Sequence, residues 1–303
     1  MKQNQLGSSQ LMVSEIGFGC MSLSGEKDAD TKLIHEALDE GINFFDTADL
    51  YQYGRNEEIV GSALRDRRHQ AVIATKGGNE FGQGIDGWRW NASKEYIKEA
   101  CRRSLKRMGL DYIDLYQLHG GTIEDDWDDV FEALDELQQE GLIRCYGMSS
   151  IRPNVIKRFS GNPGVVSNLM QYSLLDRRAA EFMPLLDEHG ISLISRGPVA
   201  KGLLTGSWEN KLSDDGYLAY SSEELSTVLP ELEKLAAEAG MSLSSLALRF
   251  ILDQENPASA IQGARTSEQL QINVQAARAE RLNEDVMDAL KHVTKATTFE
   301  NHR

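Results

Sequence analysis

Eight short apolar runs, beginning near Ile16, Ile42, Ala71, Ile113, Ile143, Val165, Ile191 and Ala258, recur along the chain, separated by amphipathic segments such as DADTKLIHEALDE and ASKEYIKEACRRSLKRM. The runs have the length of strands, and the segments between them carry the helical period. Three of the helical segments stop at a glycine that leads directly into the next run (Gly41, Gly141 and Gly190), as expected where a helix C-terminus needs a left-handed residue. The alternation therefore reads as βα units, and eight of them favour a closed (β/α)8 barrel, a TIM barrel, over an open sheet. A barrel of roughly 250 residues with additions accounts for residues 1–303 as one domain.

Two additions stand out. In MKQNQLGSSQLMVS, the residues Gly7, Ser8 and Ser9 separate two short alternating runs, which suits an N-terminal hairpin closing the barrel bottom. The stretch from Gly202 to Glu224 is rich in Gly, Ser and Asp before helical patterns resume at Leu229 and Ser242, so a long loop is expected there. A second irregular segment, Gly77 to Asn91, follows a strand directly and should border the same mouth at the C-terminal face.

The formal net charge of -15 argues against nucleic acid or an anionic membrane surface as partners, since neither would gain from this field. No apolar stretch approaches the roughly 20 residues of a bilayer span, and the start lacks the apolar core of a signal peptide, so a cytoplasmic location is expected. Cys20, Cys101 and Cys145 are odd in number and too scattered for a disulfide framework or a zinc knuckle, and are expected reduced and partly buried.

In a parallel barrel, chemistry gathers just past the strand ends. Asp46 ends INFFD, Lys76 ends AVIATK, His119 ends DYIDLYQLH, and Tyr51 lies in the loop DTADLYQYGRNEE. His119 is the one histidine at the end of a strand. A phenol of free pKa near 10 becomes a usable proton donor near neutral pH if a cation stabilises its phenolate, and Lys76 could supply that charge. A lysine at the inner end of an apolar strand is costly unless paired, and Asp46 is the natural counter-charge. A plain Asp46–Lys76 structural ion pair fits the same two positions but leaves Tyr51 and His119 idle.

The segments FFDTADLYQYGRNEEIVGSAL, IATKGG, DYIDLYQLH, GMSS, NLMQYSLLDR, GPVAKGLLTG and IQGARTSEQLQINV resemble the aldo-keto reductases, in this order and at similar spacing over nearly the whole chain. The resemblance implies an NADP-dependent oxidoreductase that reduces a small-molecule aldehyde or ketone with NADPH, NADH being less favoured, with no metal. By motif, Tyr51 would be the general acid, Lys76 and Asp46 its tuning pair, and His119 the donor that orients and polarises the carbonyl, so that Tyr51 and His119 also meet the substrate. Two other readings stand beside it. Proteins resembling potassium-channel β-subunits share the fold and cofactor but act as regulatory or redox-sensing partners, and a barrel lyase or isomerase could use Lys76 as a Schiff-base amine.

The resemblance also assigns the cofactor contacts. Gly19, Cys20 and Met21 would line the nicotinamide end, beside Asp46; Ser149 and Gln171 would hold its carboxamide, with Ser150 replacing the Asn commonly found beside that Ser. Gly202, Leu203 and Thr205 would cover the pyrophosphate, and Gly263, Arg265, Thr266, Gln269 and Asn273 match the adenosine-phosphate pocket. Many relatives carry an aromatic residue two positions before the Pro of GPVAKGLLTG, where it stacks on the nicotinamide; this chain has Arg196, which could lie flat on the ring, reach a substrate anion, or reach the cofactor phosphates. The residues alone show no dinucleotide site, because Gly17 and Gly19 are followed by Ser22 where a third Rossmann glycine would fall. Arg265, just before a helix starting near Ser267, could nevertheless make bidentate bonds to a phosphate.

The acidic run Glu124 to Asp129 reads as a solvated helix start rather than a cation site. Trp88 and Trp90 suit a substrate wall or a loop anchor equally, Trp88 being the candidate substrate contact.

Overall fold

The structure, a computed structural model, describes all residues 1–303. Eight parallel strands close into a barrel in simple chain order: β1 (Ile16–Gly19), β2 (Phe44–Asp46), β3 (Val72–Gly77), β4 (Ile113–Leu118), β5 (Ile143–Met148), β6 (Val165–Gln171), β7 (Ser192–Arg196) and β8 (Pro257–Gln262). Helices α1 (Lys27–Asp39), α2 (Arg55–Leu64), α3 (Lys94–Met108), α4 (Trp127–Gln139), α5 (Pro153–Ser160) and α6 (Met183–Glu188) each join consecutive strands. Between β7 and β8 the chain forms α7 (Ser222–Glu238) and α8 (Leu243–Leu252), and after β8 come α9 (Ser267–Arg278) and α10 (Glu284–Val293). No single helix is long and apolar enough to cross a membrane.

The core has two layers. The larger lies between strands and helices; the smaller fills the barrel and contains Phe44, Ala74, Leu115, Cys145, Leu169, Ile194 and Ile261. Leu6, Leu11 and Val13 join this inner layer. They come from the N-terminal hairpin, whose strands Gln3–Gln5 and Met12–Ser14 pair antiparallel across the barrel bottom.

Strand side chains alternate with a period of two. Counting two residues on from the inner layer therefore gives the inward-facing rim at the C-terminal ends: Asp46 from Phe44, Lys76 from Ala74, Gln117 and then His119 from Leu115, Gln171 from Leu169, Arg196 from Ile194 and Gly263 from Ile261. A register shift between Val165 and Asn168 resets the alternation in β6, so that both Val166 and Leu169 contribute inward.

Three local expectations are refined. The long loop ends earlier than the Gly and Ser content suggests, because Ser221 and Glu224 form a capping box that opens α7 at Ser222. The segment after β3 is not wholly irregular: Asn79–Glu80 pairs antiparallel with Arg89–Trp90. Asp125, within the acidic run, is not simply solvated, since its carboxylate accepts from Trp90 Nε1 at 2.9 Å and from the Thr122 amide at 2.6 Å. The three cysteines are free and buried.

The helix ring packs closely enough that Gly61, inside α2, has no room for a methyl group: a Cβ there would lie 2.1 Å from the Met108 carbonyl oxygen. Alanine is intrinsically better in a helix by about 1 kcal/mol, but overpacking against backbone costs about 1–3 kcal/mol and Met108 is pinned by the left-handed Gly109 that ends α3. Gly61→Ala should therefore lower the thermal midpoint by several degrees; an unchanged or raised midpoint would show that α2 and α3 can separate freely.

Candidate active site

Lys76 is fully buried, and its ammonium has three partners: Asp46 Oδ2 at 2.8 Å, the Thr47 carbonyl oxygen at 2.7 Å and Tyr51 Oη at 3.3 Å. Burial works to discharge this amine, but the Asp46 carboxylate and the Tyr51 oxygen outweigh it and leave the Lys76 pKa raised. Asp46 is 4% exposed, and its other oxygen accepts from Gln117 Nε2 at 3.3 Å.

Tyr51 is delivered by a tight turn rather than a strand. Gln52, Tyr53 and Gly54 take φ of +49°, +51° and +92°, and left-handed backbone at two non-glycine residues costs of order 1 kcal/mol or more each. The turn is held from outside by Gln52 Nε2 donating to the Leu23 carbonyl, by the T-shaped contact of Tyr53 with Phe81, and by Thr47 Oγ1 donating to Asn56 at 2.6 Å.

His119 stands edge-on to Tyr51, ring centroids 6.1 Å apart. Its backbone amide donates to the Gly77 carbonyl, tying it to the end of β3. Nδ1 is buried with no protein partner, so the proton of the neutral ring belongs on Nε2, the nitrogen left to face the cleft. Burial, reinforced by the Lys76 and Arg196 charges, pushes the imidazole down to about 3. A neutral ring with Nε2–H is a hydrogen-bond donor, not an acid, throughout the physiological range.

The Asp46, Tyr51, Lys76 and His119 side chains thus converge at one end of the barrel. Beside them a recess of about 180 Å³ is lined by Trp90, Gly120, Gly121, Ser149, Ile151 and Arg152. Trp90 packs against Gly78 and Gly120, where a Cβ would come within 2.8 Å and 3.1 Å of the indole; both glycines have strongly positive φ. Trp88 lies on the same loop, 52% exposed.

The remaining expected cofactor positions share this face. Gly19 and Gly263 end β1 and follow β8 so closely that a Cβ on Gly263 would lie 2.6 Å from Ser22 Oγ. Cys20 is buried, whereas Met21 is 72% exposed. Gln171 donates to Tyr217 Oη at 2.8 Å and meets Arg196 at 3.5 Å. Gly202 and Leu203 begin the turn closed by Thr205 Oγ1 donating to the Gly202 carbonyl. At the other edge, Thr266 caps α9 by accepting the Gln269 amide, Gln269 accepts the Arg265 amide at 2.8 Å, and the buried Asn273 reaches the Gly263 carbonyl at 3.4 Å. The Arg265 guanidinium is exposed and makes no hydrogen bond or ion pair, at the start of a twelve-residue helix. A glycine cradle, an unpaired guanidinium and a helix N-terminus are a donor set that suits a phosphorylated dinucleotide. Ser149, Gln171 and Asp46 would meet its nicotinamide end, and Arg265 its adenosine end. No cluster of metal-ligating side chains is present.

Sequence inspection missed Gln117, which shares the inward parity of His119, and Tyr217, whose loop position carries no periodic signal. It also missed Glu57, which accepts from Thr75 Oγ1 and Arg107 Nε, both at 2.6 Å, behind the site.

A phenol hydrogen-bonded to a buried lysine–aspartate pair and edge-on to a neutral imidazole, at the mouth of a (β/α)8 barrel, is a grouping suited to the chemistry of an oxidoreductase. The chain belongs to the aldo/keto reductase family, whose model matches residues 15–295. It is 51% identical over 307 residues, covering 100% of both chains, to "Uncharacterized oxidoreductase YqkF" of Bacillus subtilis. It superposes on the holo form of the aldo-keto reductase AKR11C1 from Bacillus halodurans with a TM-score of 0.95 at 48% identity, covering 100% of this chain and 99% of that one; for the apo form the TM-score is 0.87. It is also 32% identical, over 95% of this chain and 96% of its relative, to the NADH-specific methylglyoxal reductase of Escherichia coli.

Behind the site, Asp49 is buried with one carboxyl oxygen unpartnered, and burial, reinforced by Glu57, raises its pKa from 3.8 to about 8. Between those values the native state keeps a proton that the unfolded state has lost, so this group makes stability fall as pH rises through the window. Asp49→Asn should remove that slope, and its stability gain over wild type should grow from pH 5 to pH 8 to on the order of a few kcal/mol. Thermal melts at both pH values test this; a gain that does not change with pH would contradict it.

Proposed function

We propose that the protein reduces an aldehyde or ketone to an alcohol with NADPH. The observation that carries the reading is the Lys76 ammonium, buried and shared between Asp46 and the Tyr51 hydroxyl. When bound, the dihydronicotinamide supplies a hydride to the carbonyl carbon. Tyr51 Oη gives its proton to the carbonyl oxygen as negative charge develops there, and Lys76 stabilises the phenolate that remains. Asp46 keeps Lys76 charged and aimed. His119 Nε2–H donates to the same carbonyl oxygen and fixes its orientation; because the ring stays neutral, it cannot compete with Tyr51 as the acid. Trp90 bounds the recess in which the substrate's carbon chain would lie.

Tyr51→Phe should keep cofactor affinity and lose about 10²- to 10⁴-fold in kcat with an activated aldehyde such as 4-nitrobenzaldehyde, since it removes the transferable proton and little volume. Near-normal turnover would remove Tyr51 from the role of acid.

The preference for NADPH over NADH rests on Arg265, since one relative is named for NADH and family membership leaves the choice open. A 2'-phosphate needs a dedicated cation, and the free guanidinium ahead of α9 supports Arg265 for it. Arg265→Ala should weaken NADPH binding by about 1.5–3 kcal/mol and leave NADH nearly untouched, as read by fluorescence titration of both cofactors. Equal losses for the two would transfer Arg265 to a structural or pyrophosphate role.

A further inference from the structure

Three ion pairs contain a side chain with no exposed surface: Lys76–Asp46 at the site, Arg178–Asp176 between residues two apart, and Arg107–Glu57, which joins α3 to α2. The last takes no part in the carbonyl chemistry, and burying it is costly unless each charge is fully satisfied. Glu57 lies in the first turn of α2 and Arg107 in the last turn of α3, the helix ends that favour their charges. Close passage of the two helices, which Gly61 permits against the Met108 carbonyl, brings them together. Dipoles and packing account for a pair at this place; they do not account for what else the two side chains hold.

The first turn of α2 grips both strand ends that carry the Asp46–Lys76 pair. Asn56 and Glu57 are both fully buried. Asn56 Oδ1 accepts from Thr47 Oγ1 at 2.6 Å, and Thr47, next to Asp46, supplies the carbonyl that accepts from the Lys76 ammonium. Asn56 Nδ2 donates to the Cys20 carbonyl at 2.8 Å, just past β1. Glu57 Oε1 accepts from Thr75 Oγ1 at 2.6 Å; Thr75 precedes Lys76, and strand alternation turns its side chain outward where Lys76 turns inward. Glu57 Oε2 accepts from Arg107 Nε, also at 2.6 Å. Arg107 in turn lies against the turn that delivers Tyr51: a Cβ on Gly54, whose φ is +92°, would fall 2.6 Å from Arg107 Cδ and 3.0 Å from its Nε. On the α3 side the guanidinium is steadied by donating to Ser104 Oγ at 3.0 Å.

We propose that Arg107 and Glu57 are positioning residues for the proton transfer: from behind the barrel wall they fix the Tyr51 turn against the strand that carries Lys76, and so set the separation of Tyr51 from Lys76. This role rests on the carbonyl-reductase reading, in which Tyr51 is the acid. The Tyr51 contact, at 3.3 Å, is the longest of the three that the ammonium makes, so a small shift of the turn would break it first. Gln52 and Tyr53 are held in left-handed backbone, and a turn released from outside would relax away from that geometry.

The test is a double-mutant cycle with Tyr51→Phe. Arg107→Met should lose about ten- to a hundredfold in kcat with 4-nitrobenzaldehyde, while KM and NADPH affinity stay within about twofold. In the Tyr51→Phe background the same substitution should cost less than about twofold, because the proton it serves to align is gone. Arg107→Lys, which keeps the charge beside Glu57, should recover part of the loss. Since Arg107→Met strands a buried carboxylate, the cycle is repeated with Glu57→Gln/Arg107→Met, which removes both charges and keeps an acceptor for Thr75. Equal losses in the two backgrounds, an unchanged kcat, NADPH binding that weakens in step with kcat, or loss of the fold in both forms would make the pair purely structural and overturn the proposal. Hydrogen exchange reads the clamp without turnover. Amides of residues 47–54, among them Asp49, which donates to the Lys76 carbonyl, and Tyr51, which donates to that of Ala48, should exchange faster in the variants, while those of β6 to β8 do not change. Faster exchange confined to that segment, in a protein that reduces no aldehyde, would refute carbonyl reduction and keep the clamp; unchanged exchange there would refute the clamp whatever the turnover.

Discussion

A lysine ammonium with no exposed surface would be discharged or expelled unless its lost hydration were replaced in full. Lys76 is kept by three oxygens from separate places: a carboxylate at the end of β2, a backbone carbonyl one residue on, and a phenol in the following turn. Removing one partner of such a pair strands the other at a cost of about 3–5 kcal/mol, so the ends of β2 and β3 and the Tyr51 turn are locked as a unit. Gln117 extends the lock to β4 through Asp46, two residues before His119. The same requirement that makes the pair expensive to bury therefore gathers a carboxylate, an ammonium and a phenol around one point, with a neutral imidazole edge-on to the phenol. The strained residues Gln52 and Tyr53 are tolerated because this unit and the contacts outside it over-determine the turn.

Glycines set the distances on the other side of the site. At Gly78 and Gly120, positive φ and the absence of a Cβ together let the Trp90 indole lie against the backbone that leads away from Lys76 and His119. Asp125 fixes the indole from behind, so the recess has a wall that depends on two loops and the approach to α4. At Gly19 and Gly263 the ends of the first and last barrel strands nearly touch, leaving backbone rather than side chains at the surface that a flat cofactor ring or phosphate would approach.

The balance of charge divides the molecule. Its acidic excess keeps the surface as a whole unfavourable to polyanions, yet the face that holds the site carries Arg196 and Arg265, neither paired with a carboxylate, with Lys201 and Lys211 nearby. Burial, reinforced by the Lys76 and Arg196 charges, holds His119 neutral, so the imidazole adds no further charge beside Tyr51.

The eight βα units, the bottom hairpin and the four polar residues at the strand ends and their loop were all legible in the sequence, because hydrophobic period and glycine stops act locally and residues such as Lys76 stand out against apolar runs. The point at which β2 begins, the hairpin within the Gly77–Asn91 segment and the early start of α7 were not. Each is decided by pairing or capping with residues outside the window that periodicity samples. The same holds within the site. The chain order shows that Asp46, Lys76 and His119 end strands; it does not show that all three face inward, since a register shift of the kind found in β6 would turn a strand end to the opposite side. Gln117 and Tyr217 carry no signal of their own and acquire a role only through neighbours 71 and 46 residues away. Residue types and strand ends are local properties that the sequence determined by itself; which side chains meet, which arginines remain unpaired and which imidazole nitrogen faces the cleft depend on closure of the barrel, which brings distant segments to one end and was decided only in the tertiary structure.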